Sequence, residues 1–213
     1  LEKVDISQDF QSAIGKAADV LLAGGVIAFP TETLYGLGVD IRNEAAIRRL
    51  FTIKKRSDSS PVLILIPSVE FLAQYVDNLP PVALRLIELF WPGGLTLVFK
   101  AGSMASPLLT AGTGRIGIRF SSNPVATSLA RAIDSAITGT SANISGKPAC
   151  RSAQDVLDCF GENVDLILDG GKTAHSVAST VLDVTTDPPR ILRQGVVSRE
   201  QIKTCVSNVE DFG

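Results

Sequence analysis

Histidine is almost missing from this 213-residue chain: His175 is the only one. That excludes a zinc site built on several histidines, and it leaves a serine triad a single candidate base, on a separate loop. Cysteine is scarce as well. Cys150, Cys159 and Cys205 are odd in number and scattered, with no CxxC pair. They read as small buried residues, reduced in a cytoplasmic setting, and not as a disulfide framework or as catalysts. No apolar run approaches the roughly 20 residues of a membrane span. The opening LEKVDISQDF lacks the basic-then-apolar order of a secretory leader, so no membrane contact is expected. Charge of one sign is also lacking. The net charge is -2, which excludes a whole-chain basic footprint for nucleic acid and leaves only a local patch.

What is present is a hydrophobic fraction of 45%, ample for a packed core, and a length that suggests one domain over 1–213. Helical spacing runs over Gln11 to Ala23, stops at Gly24-Gly25, and is followed by the apolar strand Gly25 to Ala28. Asn43 is placed to cap a second helix, with Ile47, Leu50 and Phe51 on one face and Lys54, Lys55 and Arg56 at or past its end. Further helices are predicted near 68–75, 81–90, 124–133 and 152–160. Strands are predicted over Val62 to Ile66, Leu95 to Phe99, Arg115 to Phe120, Val164 to Leu168, Ser179 to Val184 and Arg190 to Leu192. In the third of these, Ile116, Ile118 and Phe120 alternate with Gly117 and Arg119, as in a strand with one polar face. A short strand leads into GTSANISG, Gly139 to Gly146. The mixture of β–α alternation and β–β neighbours predicts an α/β or α+β mixed domain around a mixed sheet.

Several nucleotide and hydrolase motifs fail on inspection. Gly171-Lys172-Thr173 resembles the tail of a phosphate loop, but Leu166 stands where the required glycine belongs. Gly36-Leu37-Gly38 begins like a dinucleotide fingerprint, but its third glycine would fall at Ile41. Ser141 has no G-x-S-x-G setting. What remains is a set of polar and cationic residues at strand-to-loop junctions. These are Thr31-Glu32-Thr33, Lys54-Lys55-Arg56, Arg119, Thr140-Ser141-Ala142-Asn143, Ser179-Thr180 and Arg193. Taken singly, each reads as a turn-former or a helix-end charge. Together, cations, small hydroxyls and glycines suit an anionic, nucleotide-like ligand.

PTETLYGLG, the K-x-R of KKRSDSSPVLIL, WPGGLTLV, IGIRF, TSANISG, ASTVLDVT and ILRQG follow one another in the order of the YrdC/Sua family, which the chain resembles over about residues 10–200. The resemblance implies a YrdC/RibB-like twisted, mostly mixed β-sheet flanked by helices, with a concave ligand-binding face. It also implies a single domain of the short form, without the second C-terminal domain of longer members. The activity implied is that of an L-threonylcarbamoyladenylate synthase, a nucleotidyltransferase. It joins L-threonine, bicarbonate or carbon dioxide and ATP into threonylcarbamoyl-AMP and pyrophosphate. ATP is a substrate, Mg2+ is expected on its triphosphate, and no protein ligand for the metal is read from the sequence. Downstream partners would be the tRNA-modifying threonylcarbamoyl transferase machinery.

The roles that the resemblance implies are these. Thr33, Arg119 and Ser179 face the threonine. Lys54 and Arg56 are the catalytic cations at the nucleotide phosphates. Ser60, Arg115, Ser141 and Asn143 are nucleotide-side residues, and Arg193 closes on the phosphates. Gly36 and Gly38 are expected to let the backbone fold round the ligand after Pro30 ends its strand. Tyr35 reads equally as pocket wall or core, Glu32 as structural, and His175 as an ordinary loop residue. Ser57, Leu65 and Gly94 depart from the family pattern; at Leu65 some members carry a histidine near the amino acid. The alternative is a non-enzymatic module binding tRNA or double-stranded RNA through Lys54, Lys55, Arg56, Arg115, Arg119 and Arg193, against which the acidic net charge counts.

Overall fold

The structure is a computed structural model and describes residues 1–57, 60–174, 177–206 and 208–211. In chain order its first half holds β1 (Glu2–Asp5), α1 (Phe10–Leu22), β2 (Ile27–Pro30), β3 (Tyr35–Gly38), α2 (Glu44–Lys54), β4 (Ile64–Leu65), α3 (Leu72–Tyr75), α4 (Pro81–Phe90) and β5 (Leu95–Lys100). The second half holds α5 (Pro107–Thr110), β6 (Arg115–Arg119), α6 (Pro124–Ala132), β7 (Ile137–Thr138), β8 (Thr140–Ser141), α7 (Ala153–Phe160), β9 (Leu166–Asp169), β10 (Thr180–Asp183), β11 (Arg190–Arg193), α8 (Arg199–Lys203) and β12 (Glu210–Asp211).

Among the described residues these strands form two mixed sheets, not one. The smaller has the order β1-β9-β2-β3-β8 and the larger β12-β11-β10-β5-β6-β4-β7. The expected mixed α/β character holds, and one isolated bridge, Asp40 to Ile137, lies where the sheets approach.

Local chemistry sets the elements that matter for the site. The Asp9 side chain accepts from the Ser12 amide and starts α1. The buried face of that helix, Ala13, Ile14, Ala17, Ala18 and Leu21, packs with α6 on Ile27, Phe29 and Leu168 of the smaller sheet. Asn43 caps α2 by accepting from the Ala46 amide, as its position predicts. That helix ends at Lys55, which is left-handed at φ 49°. This non-glycine C-terminal turn changes the chain's direction between Lys54 and Arg56.

The stretch after β2 is the main surprise. PTETLYGLG is not an open loop but the turn and second strand of a hairpin, with Phe29 opposite Gly36 and Ile27 opposite Gly38. Residues opposed in this way share a face. A Cβ on Gly38 would lie 2.7 Å from the Phe29 ring, and one on Gly36 would lie 3.3 Å from it. The two glycines therefore make room for an aromatic ring across the hairpin. Neither has a positive φ, and Gly36 is also among the residues that line the cavity described below.

In the larger sheet, β5 pairs with β10 in parallel and with β6 antiparallel. Its alternation sends Leu95, Leu97, Phe99, Ile116 and Ile118 into the main core. The opposite face carries Thr96, Val98, Arg115, Gly117 and Arg119. Register between β10 and β11 shifts after Val181, which opposes Arg193 while Leu182 opposes Ile191. Such a bulge lets consecutive residues face one way, and Leu192 and Arg193 both reach the same cavity.

Candidate active site

The polar face of the larger sheet is roofed by the β2–β3 turn and by the Gly139–Ser141 segment. Between them lies a cavity of about 470 Å³. Its floor is Thr96, Val98, Gly117, Val181 and Leu192, with Leu63 at one side. Thr31, Thr33, Thr96, Thr113, Thr140, Ser141 and Ser179 supply hydroxyls. Arg56, Arg115, Arg119 and Arg193 supply charge. Among the described residues that line it there is no carboxylate.

Arg119 is the most deeply placed of the four arginines, 3% exposed. Its Nη1 donates to Thr33 Oγ1 at 3.3 Å and lies 3.1 Å from Glu32 Oε1. That second approach is not aligned as a hydrogen bond, and Oε1 accepts none. The other Glu32 oxygen accepts from the Ser121 hydroxyl. Glu32 thus orients a cation from behind the wall. Thr33 is fixed in turn by Thr31, whose hydroxyl lies 3.0 Å from its own, and Thr31 donates to the Leu34 carbonyl.

Arg193 closes the β11 end. Its Nε and Nη2 both donate to the Ser179 carbonyl, at 3.1 and 2.9 Å, and Nη2 also reaches Ser179 Oγ at 3.0 Å. Ser179 Oγ lies 2.9 Å from Thr96 Oγ1. The chain can cross itself here because Gly195 lies against the backbone of residues 178–180, where a Cβ would come within 2.4 Å of Thr180 N. Arg56 donates to the Pro61 carbonyl at 2.6 Å and to Thr140 Oγ1 at 3.3 Å. Arg115 pairs with buried Asp183 at 2.8 Å.

Burial lowers the pKa of Arg56, Arg119 and Arg193. At Arg193 the nearby charges of Arg119 and Arg56 lower it further, whereas at Arg119 the Glu32 charge opposes the fall. Guanidinium stays charged at neutral pH all the same. The shifts therefore mark a cost: like charges are held together in a partly dehydrated space, and the Nε of Arg56 and of Arg119 have no hydrogen-bond partner. An incoming anion relieves both. Tyr35 serves the wall and the core at once. It is fully buried, donates to the Gly171 carbonyl at 2.9 Å and accepts from the Gly170 amide at 3.1 Å. Burial pushes its phenol up to about 12.

Of the residues singled out in the sequence, the cavity gathers Thr33, Arg56, Arg115, Arg119, Ser141, Ser179 and Arg193. Lys54, Ser60 and Asn143 are not among its lining residues. Lys54 is 2% exposed and its ammonium is spent on Ser141 and Asn143. The Asn143 amide group donates to the carbonyls of Ile144 and Lys147. Leu65 is buried in the packing beneath β2 and does not line the cavity. His175 lies outside the described residues. Sequence reasoning missed Thr96 and Gly117 as site residues, although strand alternation places both beside Arg119's row.

The family model for Sua5, YciO and YrdC proteins, described as telomere recombination, matches residues 19–195. The chain belongs to the Sua5/YciO/YrdC family. It is 37% identical over 193 residues to the threonylcarbamoyl-AMP synthase of Pyrococcus abyssi, covering 91% of this chain and 57% of that one. It is 35% identical over 210 residues to the threonylcarbamoyl-AMP synthase of Bacillus subtilis, covering 97% and 61%. The solved structure of P. abyssi Sua5 complexed with L-threonine superposes with a TM-score of 0.94 at 35% identity, over 99% of this chain and 62% of that one. The chain therefore spans about three fifths of the length of these family members. Among its described residues, no helix is long and apolar enough to cross a membrane.

Proposed function

We propose that this Sua5/YciO/YrdC chain is a cytoplasmic L-threonylcarbamoyladenylate synthase, forming threonylcarbamoyl-AMP and pyrophosphate from L-threonine, bicarbonate or carbon dioxide, and ATP. The observation that carries the reading is the cavity itself. Four arginines and several hydroxyl side chains face one cavity that, among the described residues, no carboxylate lines. That suits two small anionic reactants better than a long polyanion, which would call for cations spread over an open surface, and it counts against the RNA-binding alternative. The names of the relatives support the same chemistry.

In this reading the threonine amine forms a bond to the one-carbon unit, and water is lost if bicarbonate is the donor. A carbamate oxygen then attacks the α-phosphorus of ATP. The bond from that phosphorus to the β-bridging oxygen breaks, and pyrophosphate leaves. The nucleophile is already an anion, so the protein contributes positioning and charge neutralisation. We assign the threonine carboxylate to Arg119, with Thr33 and Ser179 at the same end. The phosphates go to Arg56, Arg193 and Arg115, and Ser141 lies beside the nucleotide. Mg2+ is assigned to the triphosphate, with phosphate oxygens as its ligands. The product would pass to the tRNA-modifying threonylcarbamoyl transferase machinery.

The test is mass spectrometry of the purified chain's products. With ATP, Mg2+, threonine and bicarbonate, threonylcarbamoyl-AMP is expected, and omitting any one substrate removes it. A folded protein that yields no such adduct under these conditions overturns the reading.

A further inference from the structure

The two cations of the K-x-R pair point in different directions. Lys54 is the last residue of α2, Lys55 is left-handed, and only Arg56 reaches the cavity. An ammonium carries three protons, and three oxygens surround that of Lys54. The Ser141 carbonyl lies at 2.5 Å, the Asn143 carbonyl at 2.8 Å and Asn143 Oδ1 at 3.2 Å. All three belong to one turn. The Lys54 carbonyl holds the same loop, accepting from the Ser145 amide at 3.0 Å.

That turn is built outward from these contacts. The Ser141 hydroxyl donates to Asn143 Oδ1 at 2.7 Å. The Ala142 amide donates to the Tyr35 carbonyl at 2.7 Å, and the Cys150 amide donates to the Ala142 carbonyl at 2.8 Å. Ser141 is registered opposite Gly36 of the hairpin. The turn is thus held on one side by the hairpin and on the other by a single buried charge. Thr140 and Ser141, which form its cavity edge, depend on both.

We propose that Lys54 is a positioning residue, which ties the 141–143 turn and so sets the Thr140–Ser141 wall of the cavity without itself touching the nucleotide. The proposal rests on reading the cavity as a nucleotide site. It gives the two cations different roles. Arg56 meets phosphate, and Lys54 shapes the wall that phosphate-free parts of the nucleotide also touch. Arginine cannot replace it, because three oxygens converge on a point that a planar fork does not fit.

Calorimetric titration of ATP and of adenosine into the full chain tests this, using the wild type, Arg56→Ala and Lys54→Met. Arg56→Ala should weaken ATP by about tenfold or more and leave adenosine within about twofold, as expected of a charge-assisted phosphate contact. Lys54→Met should weaken ATP and adenosine by the same factor. Loss of ATP affinity with adenosine unchanged would overturn the positioning role and make Lys54 a phosphate ligand. Absence of ATP binding by the wild type would overturn the nucleotide reading and the proposal with it. Should Lys54→Met not fold, the Lys54 Cε carbon resonance of the wild type decides. It stays in place on adding ATP if Lys54 positions the wall, and moves if it meets phosphate.

Discussion

At the scale of single residues, the site works by placing polar groups where water is scarce. Tyr35 shows the cost and the return. Its hydroxyl joins the hairpin to the Gly170–Gly171 backbone, and removing it hands the amide of Gly170 and the carbonyl of Gly171, both on exposed residues, to water. Tyr35→Phe should therefore lower stability by about 0.5–1.5 kcal/mol, the net worth of an ordinary intramolecular hydrogen bond. The pH dependence follows from the raised phenol, at about 12 against an ordinary 10.0. Between these values the unfolded chain has released its proton and the folded protein keeps it, so stability falls as pH rises. Denaturant titrations from pH 9 to about 11.5 should show a steeper loss for the wild type than for Tyr35→Phe. Equal slopes would contradict the burial argument.

At the scale of elements, the hairpin and the bulge decide what the cavity contains. The hairpin closes only because two glycines leave room for the Phe29 ring. Gly38→Ala forces that ring to move and should cost about 1–3 kcal/mol, the range for overpacking a core. Thermal unfolding of the single variant and of Gly38→Ala with Phe29→Leu checks this, since trimming the ring should restore part of the loss. Legibility divides along the same lines. Arg119's orientation could be read in the sequence, because Ile116 and Ile118 fix the opposite face of its strand. Thr96 followed the same period and was legible in principle. Arg193's junction was recognisable, but its direction was not: the register shift at Val181 turns Leu192 and Arg193 to one side, and no spacing rule announces it. Lys54 follows Ile47, Leu50 and Phe51 on the buried face of α2, which the helical period could have shown, whereas the left-handed Lys55 that redirects Arg56 had no such signal. The second sheet was hidden because β3 looked like a glycine-rich loop until Phe29 was seen to fill the space over its glycines.

At the scale of the whole molecule, an acidic chain concentrates positive charge in one place. The net charge is -2, yet four arginines share a cavity between two sheets, and their partners Glu32 and Asp183 stand behind the wall. This segregation suits the cavity to an anionic ligand. In the proposed reading threonine and ATP meet there, with Arg119 at the amino-acid end. The measurement that tests it most directly is the threonine dependence of pyrophosphate release, with bicarbonate, ATP and Mg2+ saturating, for the wild type and Arg119→Ala. The KM for threonine should rise by about 10- to 100-fold, the loss of a hydrogen-bonded charge pair, while the KM for ATP stays within about threefold. An unchanged KM for threonine in a folded Arg119→Ala protein would contradict the account.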